Sequence, residues 1–381
     1  MTTILRRLRQ KENPVLARRS TARSEQGQVL VIVAVGLLAM LAMVALVVDG
    51  GHAWGQQREA QNGADAASEA GALRLAQNQP FIAAGQTQPY KDSAVRTAVY
   101  DKAADNAIVV AQAIYTNFAG DPLPGPIVVG SLGNVPPPAA AAGVQVKADK
   151  GFDTFLAGVI GVQTMTAHAQ ATAVSGYLDT LPTNSTIPVT FPVTITACDG
   201  SGKLIPGTSQ WVVGNYYAIP LCKGGPGNVG WLDWTPPGGG AQELENSVLH
   251  PDNPEITVPN WFYVAQTGNI SAGKVEDALN TYHNKIVYIP LFDATCDSKP
   301  LGTAKGDCTT GPGNGQNQYY HFPSYAAFLL DKVDFKAGCS GQNGTGCFFG
   351  TFSDVLGPGT LRAGNGSQES PLGIVGVQLI K

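Results

Sequence analysis

Groups able to carry chemistry are few in this chain and poorly assembled. Its histidines stand at 52, 168, 250, 283 and 321, with no His-Glu-x-x-His and no two at metal-ligand spacing. No Gly-x-Ser-x-Gly elbow is present, and Ser324, three residues after His321, lies in no nucleophile motif. Asp199-Gly200-Ser201-Gly202-Lys203 resembles a phosphate loop only in part, because Leu204 stands where a hydroxyl must reach magnesium. A hairpin turn accounts for it better. The carboxylate pairs Asp293 with Asp297 and Glu243 with Glu245 offer weak support for a loop calcium. No catalytic constellation, cofactor or small-molecule substrate is expected from these residues.

Cysteine is the one reactive type with a pattern. Cys198, Cys222, Cys296, Cys308, Cys339 and Cys347 all fall in the C-terminal half. An even number in an exported segment reads as three disulfides. Neighbour pairing would close three short loops, but six cysteines allow fifteen connectivities and spacing does not choose. Zinc would need Cys-x2-Cys or Cys/His sets, and there are none.

The export assignment comes from the element ahead of them. Val29 to Val48 is an uninterrupted apolar run of twenty residues, about 30 Å as an α-helix, which matches a bilayer's hydrocarbon core. Before it stand Arg6, Arg7, Arg9, Lys11, Arg18, Arg19 and Arg23 against Glu12 and Glu25; after it the first cation is Arg58. The positive-inside rule places the N-terminus in the cytoplasm and everything after Asp49 outside. The run exceeds a signal-peptide core and has no small-x-small site close behind it, so a retained anchor is expected. From Gln28 onward the chain holds seventeen cations and twenty-six acids, which argues against nucleic acid as a partner.

Beyond the span, Ala53, Gln57, Ala60, Ala64, Ala67 and Gly71 recur at four- and three-residue spacings. They form one helical stripe of mostly small side chains, which either lets another helix approach closely or marks an alanine-rich helix and no more. Together Gln26-Gly27-Gln28, the apolar run, Asp49-Gly50 and the block Gln61-Asn62-Gly63-Ala64-Asp65-Ala66-Ala67-Ser68-Glu69-Ala70-Gly71 resemble the N-terminal domain of TadE/TadG-like Flp pilus-assembly proteins. The resemblance covers about residues 25 to 76. It implies a bitopic, non-enzymatic component of pilus assembly or surface adhesion machinery, whose partners are the membrane and other pilus-assembly or envelope proteins. Under it, Asp49, Gln61, Ala64, Asp65, Ala67 and Gly71 are the residues expected to pack helices. Pilin-type relatives cut by a prepilin peptidase carry Glu five residues after the Gly; here that position is Ile32, which implies the uncleaved TadG-like branch. Some TadG-like proteins carry an Asp-x-Ser-x-Ser metal site, but Lys203 puts a cation where its hydroxyl ligand belongs.

The expected organisation is α+β. A basic tail, 1–27, precedes the membrane and juxtamembrane helix, 28–78. A pilin-like α+β module follows at 79–178, then a β-rich, disulfide-containing extracytoplasmic domain at 182–381. A turn is expected over 79–89, a second helix from Lys91 to about Ala119, strands at 127–129 and 144–148, and a short helix at 152–160. Alternation over 165–174 predicts a half-buried strand. A linker is expected at Leu181 to Ser185. Beyond it, strands are expected at 187–197, 211–221, 285–292 and 325–335, and a helix at 272–283. Two aromatic clusters, around Trp231 and Trp234 and around Trp261, Phe262 and Tyr263, are expected in the core; exposed, they would make an adhesive surface.

Overall fold

The computed structural model describes residues 22–199, 204–221, 231–235, 240–264, 273–310, 318–336, 339, 346–353, 355–357, 359–364 and 372–380. The chain divides into two compact units, one made of residues 1–56 and 151–165, the other of 57–150 and 166–381. Residues 1–21 of the basic tail and the Gly200–Lys203 part of the candidate loop lie outside the described residues.

A single helix, α1 (Ala22–Ala83), contains both the apolar run and the small-residue stripe. Its last turn passes through Pro80, where a turn was expected. Proline removes one backbone donor and ordinarily ends a helix. Here burial of Leu75, Ala76, Asn78 and Gln79 holds the segment helical, and the Tyr177 hydroxyl donates to the Gln79 carbonyl at 3.0 Å.

Helix α2 (Asp92–Asp105) is half the length the spacing predicts. Val110 and Ile114 continue its apolar period, yet Ala107 adopts φ +52° and the chain turns into strand β1 (Val109–Thr116). β-branched residues at 109, 110 and 114 fit a pleated surface better than a helix. β2 (Gly143–Asp153) and β3 (Thr164–Leu178) follow. Residues 127–129 give only a single bridge, Ile114 to Val128, alongside β1. The helix expected at 152–160 reduces to one 3₁₀ turn, Ala157–Ile160.

The sheet runs β1-β2-β3 and is completed by Leu361–Arg362 and Val375–Leu379, both antiparallel to β3. The C-terminus therefore returns to the sheet of the N-terminal module, and the module boundary expected near residue 178 does not divide it. Nor is 181–185 a free linker: Leu181 is fully buried and pairs with Ile256, and the Asn253 side-chain oxygen accepts from the Ser185 and Thr186 amides.

The remainder is β-rich. A five-stranded sheet runs Phe191–Pro192, Lys285–Phe292, Ser324–Asp334, Cys347–Ser353, Tyr216–Pro220. Its face packs on two short helices, Ala241–Leu249 and Gly273–Asn280, through Leu244, Val248, Val275 and Leu279. The centre is aromatic: Phe191 meets Phe328 and Phe348 edge-on at 5.6 and 5.5 Å, a geometry favoured by the ring quadrupoles. A three-stranded sheet, Asn260–Val264, Gln318–Phe322, Ala294–Cys296, adds a second core around Leu181, Phe322 and Tyr325.

Candidate anchoring and helix-packing site

Apolarity on every face of Val29 to Val48 has no counterpart in the fold: none of these residues is buried, and Leu46 and Val47 are more than 70% exposed. Exposure on this scale in water is unfavourable, by about 25 cal/mol per Å² of apolar surface. One N-terminal helix of this length and composition suggests membrane anchoring.

Asp49 terminates that surface. Its carboxylate accepts three successive backbone N–H groups: Phe155 at 2.8 Å, Leu156 at 3.1 Å and Ala157 at 2.5 Å. Desolvation pushes the carboxyl up, but the bonds from Ala157, Phe155 and Leu156, with nearby His52, hold it below the usual carboxylate range. One turn on, the His52 ring lies edge-on to Phe152 at 5.3 Å and to Phe155 at 4.9 Å. Asp49 thus ties α1 to the start of the 3₁₀ turn, which sequence reasoning had no means to see across 106 residues.

The small stripe is used within the chain. Ala60, Ala64 and Ala67 have no exposed surface. A Cβ on Gly71 would come to 2.8 Å from a Val99 methyl and 3.0 Å from a Val144 methyl; one on Gly63 would come to 2.9 Å from Ile108. The helix therefore lies closely on α2 and β2, and the close approach that small residues permit is to this chain's own elements. Polar members latch the edge: Gln61 donates to the Asp65 carboxylate at 2.8 Å and to the Gln170 carbonyl at 3.0 Å, and Gln57 donates to the His168 carbonyl at 2.6 Å.

Asp92, which nothing in the sequence singled out, is fully buried at the start of α2. It accepts from the Tyr115 hydroxyl at 2.7 Å and from the amides of Gly130 at 2.7 Å, Leu132 at 2.7 Å and Gly133 at 2.9 Å. Every partner is inside the fold, so the group is structural. Glycine at 130 and 133, both at positive φ, gives the only signal of the tight loop that wraps it.

His321 is nearly buried, with Nδ1 2.6 Å from the Asp293 carboxylate and Nε2 3.1 Å from the Thr303 carbonyl. Asp293 also pairs with Lys305 at 3.2 Å. Among the described residues no three His, Cys, Asp or Glu side chains are placed to hold a metal. Trp231 is 2% exposed and packs on Phe335 and Phe348, and Trp261 is also buried. Trp234 is half-buried beside Phe262. Cys296 is bonded to Cys308 and Cys339 to Cys347. Cys198 is also disulfide-bonded, and Cys222 lies outside the described residues.

No curated protein and no solved structure matches the chain. Residues 27–76, which hold the apolar span, Asp49 and the small-residue stripe, match the Tad family, that of TadE/G-like Flp pilus assembly.

Proposed function

We propose that this protein is a non-enzymatic, membrane-anchored component of Flp pilus assembly, with its N-terminus in the cytoplasm and the part after Asp49 outside. The family match over residues 27–76 carries the reading. The unburied apolar helix supports the anchor, the basic tail supports the orientation, and the disulfides fit an oxidising compartment. Ile32 in place of the glutamate of processed pilins supports retention of the N-terminus. The partners are then other pilus-assembly or envelope proteins.

Ala60, Ala64 and Ala67 of the small stripe are buried inside the chain, so contacts to partners draw on the other exposed faces, the apolar span included. The second reading, an anchored adhesive domain that uses the Trp231 and Trp234 indoles, draws less support from Trp231, which is buried, than from the half-buried Trp234.

Deletion of the gene in its native host, scored for surface Flp pili, tests the reading together with mass identification of proteins cross-linked to a tagged full-length copy. Loss of pili and recovery of pilus-assembly subunits are expected. Undiminished piliation would overturn it. Intact mass from the native membrane separates an uncleaved chain from one beginning at Gln28.

A further inference from the structure

The connection between β2 and β3 has the wrong surface for an aqueous loop. From Thr154 to Met165 it contains no charged residue. Phe155 is 62% exposed and Val159 83%, with Leu156, Val162 and Met165 also open to solvent. Its backbone is closed by contrast. The amides of Phe155, Leu156 and Ala157 go to Asp49, that of Thr154 to the Gln163 carbonyl at 3.0 Å, and those of Val159, Gly161 and Val162 back into the 3₁₀ turn. The Thr154 hydroxyl donates to the Val162 carbonyl. Apolar side chains outward with amides satisfied inward is the arrangement lipid demands, because hydrocarbon offers unpaired backbone groups no partner.

We propose that residues 154–163 are a second membrane contact, seated at the headgroup–acyl boundary of the leaflet from which α1 emerges at Asp49. The inference rests on the anchored reading above. Its occupant follows from continuity: Asp49 directly follows Val48, the last residue of the apolar span, and Asp49 itself holds the loop. Trp54, 66% exposed and about 7.5 Å beyond Asp49 along the helix, stands where interfacial indoles gather. The chain thereby touches the bilayer at two points fixed to each other, which limits tilt of the helix where it leaves the membrane.

The test uses the full chain with its disulfides intact, at low density in vesicles of phosphatidylcholine and phosphatidylglycerol. An environment-sensitive fluorophore is placed through V159C, with V162C as a second loop position, L38C in the span and V128C on an exposed segment outside it. Loop labels should be quenched about twofold more by spin-labelled lipid with a shallow label than a deep one, as for groups about 5–10 Å into the interface. L38C should show the reverse order and V128C no lipid quenching. Loop labels open to aqueous iodide and untouched by either lipid label, with L38C still quenched, would overturn the loop contact and leave the anchor standing. Loop labels shielded from both quenchers would overturn it in favour of a second copy of the chain. An unquenched L38C would remove the anchored reading itself.

Discussion

Asp92 and Tyr115 meet at 2.7 Å in a buried pair that joins the first turn of α2 to β1, the edge strand of the sheet. Burial, the Asp92 hydrogen bond and the neighbouring carboxylate all push the Tyr115 hydroxyl well above its ordinary pKa, so it serves as a permanent donor. Removing either partner should read as lost stability. Tyr115→Phe deletes one of four donors and should cost about 1 kcal/mol. Asp92→Ala strands the Gly130, Leu132 and Gly133 amides as well and should cost on the order of 3–5 kcal/mol. Denaturant unfolding checks both, and equal losses would contradict the network.

Gly71 leaves no room for a side chain between α1 and the pair Val99 and Val144. Gly71→Val should therefore destabilise by roughly 1–3 kcal/mol through overpacking, without affecting membrane insertion. Adding Val144→Ala opens space on one side and should recover part of the loss. A double-mutant cycle reads the coupling. A neutral Gly71→Val, paired with loss of partner recovery from cells, would return the stripe to intermolecular packing.

How much of this was legible beforehand depends on the range of the force involved. The apolar span, the strands at Lys285–Phe292 and Ser324–Asp334, and the helix at Gly273–Asn280 follow from periodicity within a dozen residues. Where the period was ambiguous it misled: Val110 and Ile114 extend a helical spacing, and only the Ala107 turn and pairing with β2 make them strand. Pro80 misled in the opposite sense, since tertiary burial outweighed the missing donor. Asp49 was singled out as a packing residue, but its partners, Phe155 to Ala157, are set by chain return and have no local signature. The pairings of Cys296 with Cys308 and Cys339 with Cys347 were among fifteen equivalent readings until the strands brought them together.

Those disulfides close loops of 12 and 8 residues in sequence separation. Chain-entropy arguments assign such loops about 2–3 kcal/mol each. Cys296→Ser with Cys308→Ser should lower the melting temperature under oxidising conditions, whereas under reducing conditions its difference from the unaltered protein should narrow. A persistent gap would mean that packing of the two sulfurs, not loop closure, carries the effect.

Asp233 is 6% exposed, and one of its oxygens has no hydrogen-bond partner. Desolvation, with the charges of Glu243 and Asp252, raises its pKa, against a lowering bond from the Thr235 amide. A carboxyl raised in the folded state favours folding when protonated, so this contribution is present below the ordinary carboxylate pKa and is lost as pH rises through the folded value. Asp233→Asn keeps an acceptor for Thr235 and carries no charge. It should stabilise the protein by roughly 1 kcal/mol at neutral pH and lose that advantage in acid. Melting curves across pH check the sign, and a variant less stable than the parent at pH 7 would refute the desolvation account.

Asp49 should behave with the opposite sign. Its carboxyl is held below the ordinary range by the three loop amides against desolvation, so the tie is complete above the ordinary carboxylate pKa and weakens as pH falls through the lowered value. Amide hydrogen exchange at Phe155, Leu156 and Ala157, corrected for intrinsic rates, should therefore speed up in acid. Asp49→Ala should raise the same rates by about tenfold or more at neutral pH, because local opening no longer breaks hydrogen bonds to a carboxylate. Asp49→Asn retains one acceptor oxygen and should fall between. Exchange at the Gly130, Leu132 and Gly133 amides, held by Asp92, should stay unchanged, which separates loosening of this loop from unfolding of the chain. Unaltered exchange at 155–157 in the alanine variant would show that the 3₁₀ turn holds itself, and that the second membrane contact, if made, is not fixed to the helix by Asp49.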